Sequence, residues 1–131
     1  MSDWTRYDVC PVPKPRQTRA DVWRKRPAVM RYRAFADELR LAVRHRMFSV
    51  ALPVHVLFVM PLPKRAGSRL SGMRHAIRPD VDNLLKAFTD ALWPEEDSHV
   101  WDVRATKVWG KSGAIWVRSL GPADLPKEVT G

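Results

Sequence analysis

The sequence predicts a small α+β domain in which two main helices pack on one mixed β-sheet. Three observations predict this class. Apolar residues recur at helical spacing in two segments, a nearly continuous apolar run lies between them, and two alternating runs follow. At 131 residues the chain is long enough to bury one hydrophobic core, so we expect residues 1–131 to form a single domain.

The first half of the chain predicts three elements. Residues 7–13 predict a short strand, and the prolines within it suit a sheet edge. Residues 29–47 place apolar side chains at helical spacing and predict an amphipathic helix. Residues 52–60 are almost continuously apolar and predict the central strand of the sheet, buried on both faces. We expect His55, inside this strand, to be a core histidine with satisfied hydrogen bonds.

A long irregular segment and a second helix come next. Residues 61–77 lack periodicity and predict a functional or mobile loop, or a disordered surface excursion. The helix is expected to begin after Asp82, because an aspartate is a favourable N-cap, and to end before Pro94. Its apolar stripe consists of Leu84, Leu85, Phe88 and Leu92.

The C-terminal part predicts a β-hairpin. Residues 100–109 alternate between apolar and polar side chains, and 114–120 return after a glycine-rich turn. We expect Trp101 and Trp109 to pack in the core rather than to stack on bases, since both lie on the apolar face. Residues 121–131 predict a loosely held tail.

The charge of the chain indicates a polyanionic partner. Lys and Arg number 23 against 14 Asp and Glu, which gives a formal net charge of +9. Nucleic acid is the most common partner of such a balance. The single cysteine, Cys10, excludes an internal disulfide framework and a cysteine zinc site, and favours a reducing, cytoplasmic location. No apolar run approaches the length of a membrane span, so no membrane partner is expected.

Two basic segments are candidate phosphate-contacting loops. The first follows the predicted N-terminal strand, and the second is the irregular segment 61–77. The alternative in each case is an ordinary solvated surface. The residues predicted to bind DNA are Lys14, Arg16, Arg19, Lys64, Arg65, Arg69 and Arg74.

Acidic residues on both sides of the second helix predict a metal site. Asp80 and Asp82 lie at its start, and a cluster ending in Asp97 follows its end. A short loop that returned this cluster to the helix start would need a cation, and Mg²⁺ is the usual partner of carboxylates and phosphate oxygens. Asp80 and Asp97 would be ligands, with Asp82 as a third ligand or as the residue that fixes the helix start. The alternative is that Asp80 and Asp82 only form a turn and a cap.

Such a site predicts metal-dependent phosphodiester hydrolysis. Lys86 lies one helical turn after Asp82, where its ammonium would stabilise the pentacovalent phosphate or position the attacking water. The alternative for Lys86 is an ordinary helix ion pair, and Asp90, one turn further on, is a candidate to hold it.

The sequence also resembles the RusA family of Holliday-junction resolvases, crossover-junction endodeoxyribonucleases common in prophages. The resemblance covers about 11–117. It depends most on 75–86, which reads His-Ala-Ile-Arg-Pro-Asp-Val-Asp-Asn-Leu-Leu-Lys and continues to Asp-Ala-Leu at 90–92. The basic piece 11–16, the acidic piece 96–100 and Lys107 match in the same order.

The resemblance implies a RusA-like fold and a homodimeric, Mg²⁺-dependent endonuclease, with Mn²⁺ as a substitute, that nicks four-way DNA junctions symmetrically in recombination and repair. The implied catalytic acids are Asp80, Asp82 and Asp97, with Lys86 as the essential basic residue. Glu96 stands where the family has the first acid of an Asp-Asp pair, and it is the alternative metal ligand to Asp97. The competing predictions are a metal-dependent nuclease on other branched DNA or on RNA, and a non-catalytic basic DNA-binding module.

Overall fold

The computed structural model describes residues 3–15, 26–95 and 98–131, and in this part of the chain two main helices pack on a mixed four-stranded sheet. The α+β class predicted from the sequence is confirmed. The strands are β1 (Thr5–Tyr7), β2 (Val54–Pro61), β3 (Val103–Gly110) and β4 (Ala114–Ser119). The helices are α1 (Pro27–His45), α2 (Val81–Leu92) and the four-residue α3 (Lys127–Thr130).

The sheet has the strand order β1-β4-β2-β3, with β2 at its centre. β2 pairs in parallel with β3 and antiparallel with β4, and β1 pairs antiparallel with β4. The prediction of a central strand is therefore confirmed, whereas the predicted hairpin is wrong because β2 lies between β3 and β4. A parallel pair needs a crossover connection, and α2 lies within the one that joins β2 to β3.

Both helices cover one face of the sheet. The aromatic ring of Phe88 in α2 meets that of Phe58 in β2 edge-on, with centroids 6.1 Å apart. Leu39 of α1 and Ile115 of β4 are fully buried in the same cluster. This core fixes α2 against the sheet, and so it fixes the position of the residues at the start of that helix.

The irregular segment between β2 and α2 docks along the outer edge of β3. The Gly72 amide donates to the Trp109 carbonyl (2.8 Å), the Trp109 amide donates to the Met73 carbonyl (2.9 Å), and the His75 amide donates to the Lys107 carbonyl (3.2 Å). A 3₁₀ turn at Ser68–Leu70 precedes these contacts. The end of the loop therefore satisfies backbone groups that a bare edge strand would expose.

Other sequence predictions shift or are corrected. The first strand occupies Thr5–Tyr7 instead of 7–13, because the prolines that follow Tyr7 cannot donate to a ladder. Trp101 was expected in the core, but its side chain is 59% exposed and its Nε1 donates to the Ala51 carbonyl (3.2 Å). Trp109 does pack against the core as predicted.

The prediction for His55 is confirmed. Its side chain is buried on the face of β2 opposite the helices, and its Nε2 lies 2.9 Å from Thr106 Oγ1. Arg118 lies 3.5 Å from its Nδ1. Residues 121–131 are exposed throughout, and no helix in the described parts of the chain is long and apolar enough to cross a membrane.

Candidate functional site

Two exposed aspartates lie at the N-terminus of α2. Asp80 is the N-cap residue with an extended backbone, and its carboxylate makes no capping hydrogen bond. Asp82 lies in the first turn, where its Oδ1 accepts a hydrogen bond from the Asn83 amide (3.0 Å). The prediction that Asp82 caps the helix is wrong. Either aspartate suits a cap by composition, but the Leu84 amide donates to the Asp80 carbonyl (3.1 Å), so the helix begins earlier than expected.

An open cleft of about 500 Å³ lies beside Asp80. Its lining includes Arg78 and Asn83, which were not predicted as site residues, together with Pro13 and Pro79. Both missed residues fall within the same stretch as the acids, and an amide oxygen or a guanidinium beside a carboxylate is a signal that the sequence does contain. The cleft therefore combines a carboxylate, an amide and a cation at one helix terminus.

The turn that enters α2 is tied to the sheet by Lys107. The Lys107 Nζ donates to the Ile77 carbonyl (2.5 Å) and to the Pro79 carbonyl (2.6 Å). The peptide bond between Arg78 and Pro79 is cis. Lys107 was noted in the sequence as a position of family resemblance, but no sequence pattern indicates its partners.

Lys86 lies on α2 one turn after Asp82, and its side chain is 66% exposed. Asp90 was expected to hold it. In the structure the direct partner of Asp90 is Lys14, whose Nζ donates to Asp90 Oδ2, while the Lys86 Nζ is 3.9 Å from the same oxygen. The ammonium of Lys86 is thus largely open to solvent, whereas that of Lys14 is engaged.

The remaining predicted DNA-binding residues fall into two groups. The cations between β2 and α2 are all exposed, and they lie on the segment that leads directly to Asp80. Arg16 and Arg19 lie outside the described residues. The exposed group consists of Lys64, Arg65, Arg69 and Arg74.

The predicted metal site is described only in part. Glu96 and Asp97 lie outside the described residues, and among those that the structure does describe no group of three His, Cys, Asp or Glu side chains could hold an ion. The two described acids nevertheless fit Mg²⁺. Mg²⁺ is commonly held by one or two carboxylates together with waters and substrate phosphates, and the carboxylate of Asp80 is exposed and uncommitted to a cap.

A buried histidine lies behind the site. His75 packs against Trp109 with ring centroids 4.2 Å apart, and its Nδ1 has no hydrogen-bond partner among the described residues. Burial lowers the pKa of His75, and the nearby positive charge of Lys107 lowers it further. The imidazole is therefore held neutral between the edge of β3 and the turn that leads into α2.

Comparison with known proteins identifies the family. The family model of endodeoxyribonuclease RusA matches residues 8–118, well over half of the chain. A comparison with curated proteins gives no significant match. The matched range includes β2, β3 and all of β4 except its last residue, and it contains both helices that cover the sheet and the acidic cleft. The chain therefore belongs to the RusA family of endodeoxyribonucleases, and its activity is that of a nuclease.

Proposed function

We propose that this nuclease resolves four-way DNA junctions by metal-dependent, symmetric nicking in recombination and repair. The observation that supports this most directly is the open cleft at the start of α2, where the carboxylate of Asp80 is exposed and uncommitted. Exposed cations lie on the segment that leads into the cleft. A carboxylate site next to a basic surface is what a phosphodiesterase needs, since the substrate is an anion and the ion between them is a cation.

Asp80 and Asp82 are the described residues that would hold Mg²⁺ or Mn²⁺, with Asp97 or Glu96 as the proposed third acid. Bound there, the ion supplies charge neutralisation at the phosphate and a more acidic water. Asn83 lines the same cleft and offers an amide oxygen to the ion's water shell. Removing any one of these oxygens would weaken metal binding more than DNA binding, because the basic residues contact the backbone separately.

Lys86 is the proposed catalytic cation. Its ammonium is not closely paired, since Asp90 is occupied by Lys14, and it lies one turn along α2 from Asp82. A free ammonium near the scissile phosphate stabilises the negative charge that builds up on the phosphoryl oxygens during attack by water. Lys14, by contrast, is proposed to orient the N-terminal segment at the edge of the cleft.

The proposed enzyme is a homodimer. A four-way junction presents equivalent strands related by a two-fold axis, and a two-fold enzyme places one acidic cleft at each of them. Each protomer would then make one nick, and paired nicks at symmetric positions give two linear duplexes. Sedimentation of the purified protein at assay concentration tests the oligomeric state, and a monomer that still makes paired nicks contradicts this part of the proposal.

The decisive experiment compares the unsubstituted protein with Asp80→Asn on a labelled synthetic four-way junction in Mg²⁺. We expect the unsubstituted protein to make paired nicks. Asp80→Asn should cut at least about 100-fold more slowly, because the loss of an essential electrostatic group typically costs about 10²–10³ in rate. Its affinity for the junction should remain within about threefold, since the substitution leaves the cationic contacts intact.

Asp124→Asn is the matched control, because Asp124 is an exposed aspartate in the C-terminal segment, away from the cleft. It should cut at the rate of the unsubstituted protein. Equal cleavage of a linear duplex or of RNA would contradict junction specificity. Binding without cleavage in either Mg²⁺ or Mn²⁺ would instead indicate a non-catalytic DNA-binding module.

A further inference from the structure

Lys107 connects the central part of the sheet to the turn that presents Asp80. It lies in β3, paired in register with Phe58 of β2, and its carbonyl accepts a hydrogen bond from the His75 amide. Its backbone is therefore held on both sides, by a parallel strand and by the docked loop. The side chain points from this fixed base to the turn before α2, where the ammonium meets the carbonyls of Ile77 and Pro79.

The two carbonyls belong to the last residues before the helix. The Pro79 carbonyl is part of the peptide unit that joins Pro79 to Asp80, so an ammonium bound to it restrains the plane from which Asp80 begins. On the other side, the Asp80 carbonyl accepts from the Leu84 amide. The carboxylate of Asp80 has no capping hydrogen bond of its own, so the described structure orients this side chain through its backbone.

Charge makes the choice of lysine meaningful at this position. Val103, Ala105 and Trp109, which share its face of β3, are apolar and pack against the core, and Lys107 alone on that face carries a charge. A lysine placed there spends two of its three N–H groups on carbonyls, which form short charge-assisted hydrogen bonds. It is thus committed to the turn rather than to solvent or to substrate.

We propose that Lys107 is a positioning residue that fixes the turn 77–79 and thereby aims the Asp80 carboxylate at the metal and phosphate. The proposal rests on the proposed function of the cleft. Lys107 does not touch the reacting atoms. Its role is to hold the backbone of a ligand, as the outer partners of metal ligands do in other metalloenzymes.

The test uses three full-length variants of the protein. Lys107→Met keeps an unbranched side chain of similar length and removes the donors, whereas Lys107→Arg keeps a charged donor. Lys111→Met is the matched control, because Lys111 is an exposed lysine in the turn after β3 and has no role in the site. For each variant we would measure the single-turnover cleavage rate, the junction Kd and the Mg²⁺ concentration for half-maximal cleavage.

We expect Lys107→Met to lower the cleavage rate or raise the Mg²⁺ midpoint by about 10- to 100-fold, the usual effect of removing an outer partner of a metal ligand. The junction Kd should change by less than about threefold, because phosphate contacts by the exposed cations are unaffected. Lys107→Arg should recover most of the activity that Lys107→Met loses, and Lys111→Met should behave as the unsubstituted protein. A Lys107→Met protein with unchanged rate and unchanged Mg²⁺ midpoint would overturn the proposal.

A second measurement does not depend on catalysis. Amide hydrogen exchange of a peptide that covers 77–82 should become faster in Lys107→Met and stay unchanged in Lys111→Met, while exchange in β2 stays slow in both. Unchanged exchange at 77–82 would overturn the positioning role even if cleavage were slower. If the unsubstituted protein cut no junction at all, the proposed function would fail. The exchange result would then decide by itself whether Lys107 holds the turn.

Discussion

At the scale of single residues, Asp90 shows how one carboxylate separates the roles of two lysines. Its Oδ2 is the acceptor for Lys14, and it is only distantly placed from Lys86. Asp90 and Lys14 have side chains that are 19% and 27% exposed, so this pair is more shielded from solvent than a surface ion pair. The sequence correctly suggested that Asp90 binds a lysine, but spacing along a helix favours the neighbour at i−4 and cannot reveal a partner 76 positions away.

A second residue-scale feature produces a pH dependence of stability. The pKa of His75 is lowered in the folded protein, chiefly by burial and then by Lys107, whereas in the unfolded chain it returns to about 6.5. The unfolded chain therefore binds a proton at pH values where the folded protein does not. The stabilisation is fully present above about pH 6.5 and is lost as the pH falls through the folded pKa.

We predict that His75→Phe makes the stability less sensitive to acid. Phenylalanine keeps an aromatic ring against Trp109 and cannot be protonated. Urea denaturation between pH 7.5 and 5 should show that the fall in unfolding free energy is reduced by up to about 1.4 kcal/mol per pH unit. His55, whose pKa is also lowered by burial, should keep part of the slope.

The control for this prediction is His45→Gln, since His45 is exposed at the end of α1. It should leave the pH dependence as it is. An identical slope in His75→Phe and the unsubstituted protein would show that His75 takes up its proton equally in the folded and unfolded states. Buried contact with Trp109 would then have no electrostatic consequence.

At the scale of elements, the sequence predicts those whose pattern is decided locally. The apolar run of β2 and the stripe of α2 are long and regular, so both elements were identified with ends only a few residues from those observed. The pairing of β3 with β4 was wrong, because two alternating runs joined by a glycine-rich turn look the same whether or not another strand lies between them. That choice depends on the parallel crossover from β2, which no local pattern contains.

Gly110 is where this topology acts on a single position. A Cβ at Gly110 would lie 2.3 Å from Cγ1 of Val59, a branched side chain in the central strand. The chain passes this close because it leaves β3 on one side of β2 and must enter β4 on the other. The position therefore requires glycine for close approach.

We predict that Gly110→Ala destabilises the protein by about 1–3 kcal/mol, the usual cost of overpacking, as measured by urea denaturation. The clash is with one side chain, so the same substitution in a Val59→Ala background should cost much less. Gly121→Ala is the control, because nothing lies within 4 Å of a Cβ at Gly121. Equal costs of Gly110→Ala with and without Val59 would show that the backbone, and not the packing, requires glycine.

At the scale of the whole molecule, the net charge of +9 is consistent with a DNA partner, and the family match adds the nuclease activity. The charge was predicted to act through specific loops, and the described cations between β2 and α2 are exposed as that requires. What the sequence could not supply is the frame that joins these loops to the acids. That frame is the sheet edge on which Lys107 and the docked loop meet, and it arises only from the complete fold.

The salt dependence of junction binding tests this frame as a unit. Neutralising Lys64, Arg65 and Arg69 together with Gln should lower the slope of log affinity against log salt by about 0.9 for each phosphate that is no longer neutralised, because fewer counterions are released. Fluorescence anisotropy with a labelled junction in about 50–200 mM salt measures this slope. Lys127→Gln in α3 removes an exposed charge away from the cleft and should leave the slope unchanged. If the triple variant kept the slope of the unsubstituted protein, these three side chains would not bind phosphate, and the basic surface that guides DNA to Asp80 would have to lie elsewhere on the molecule.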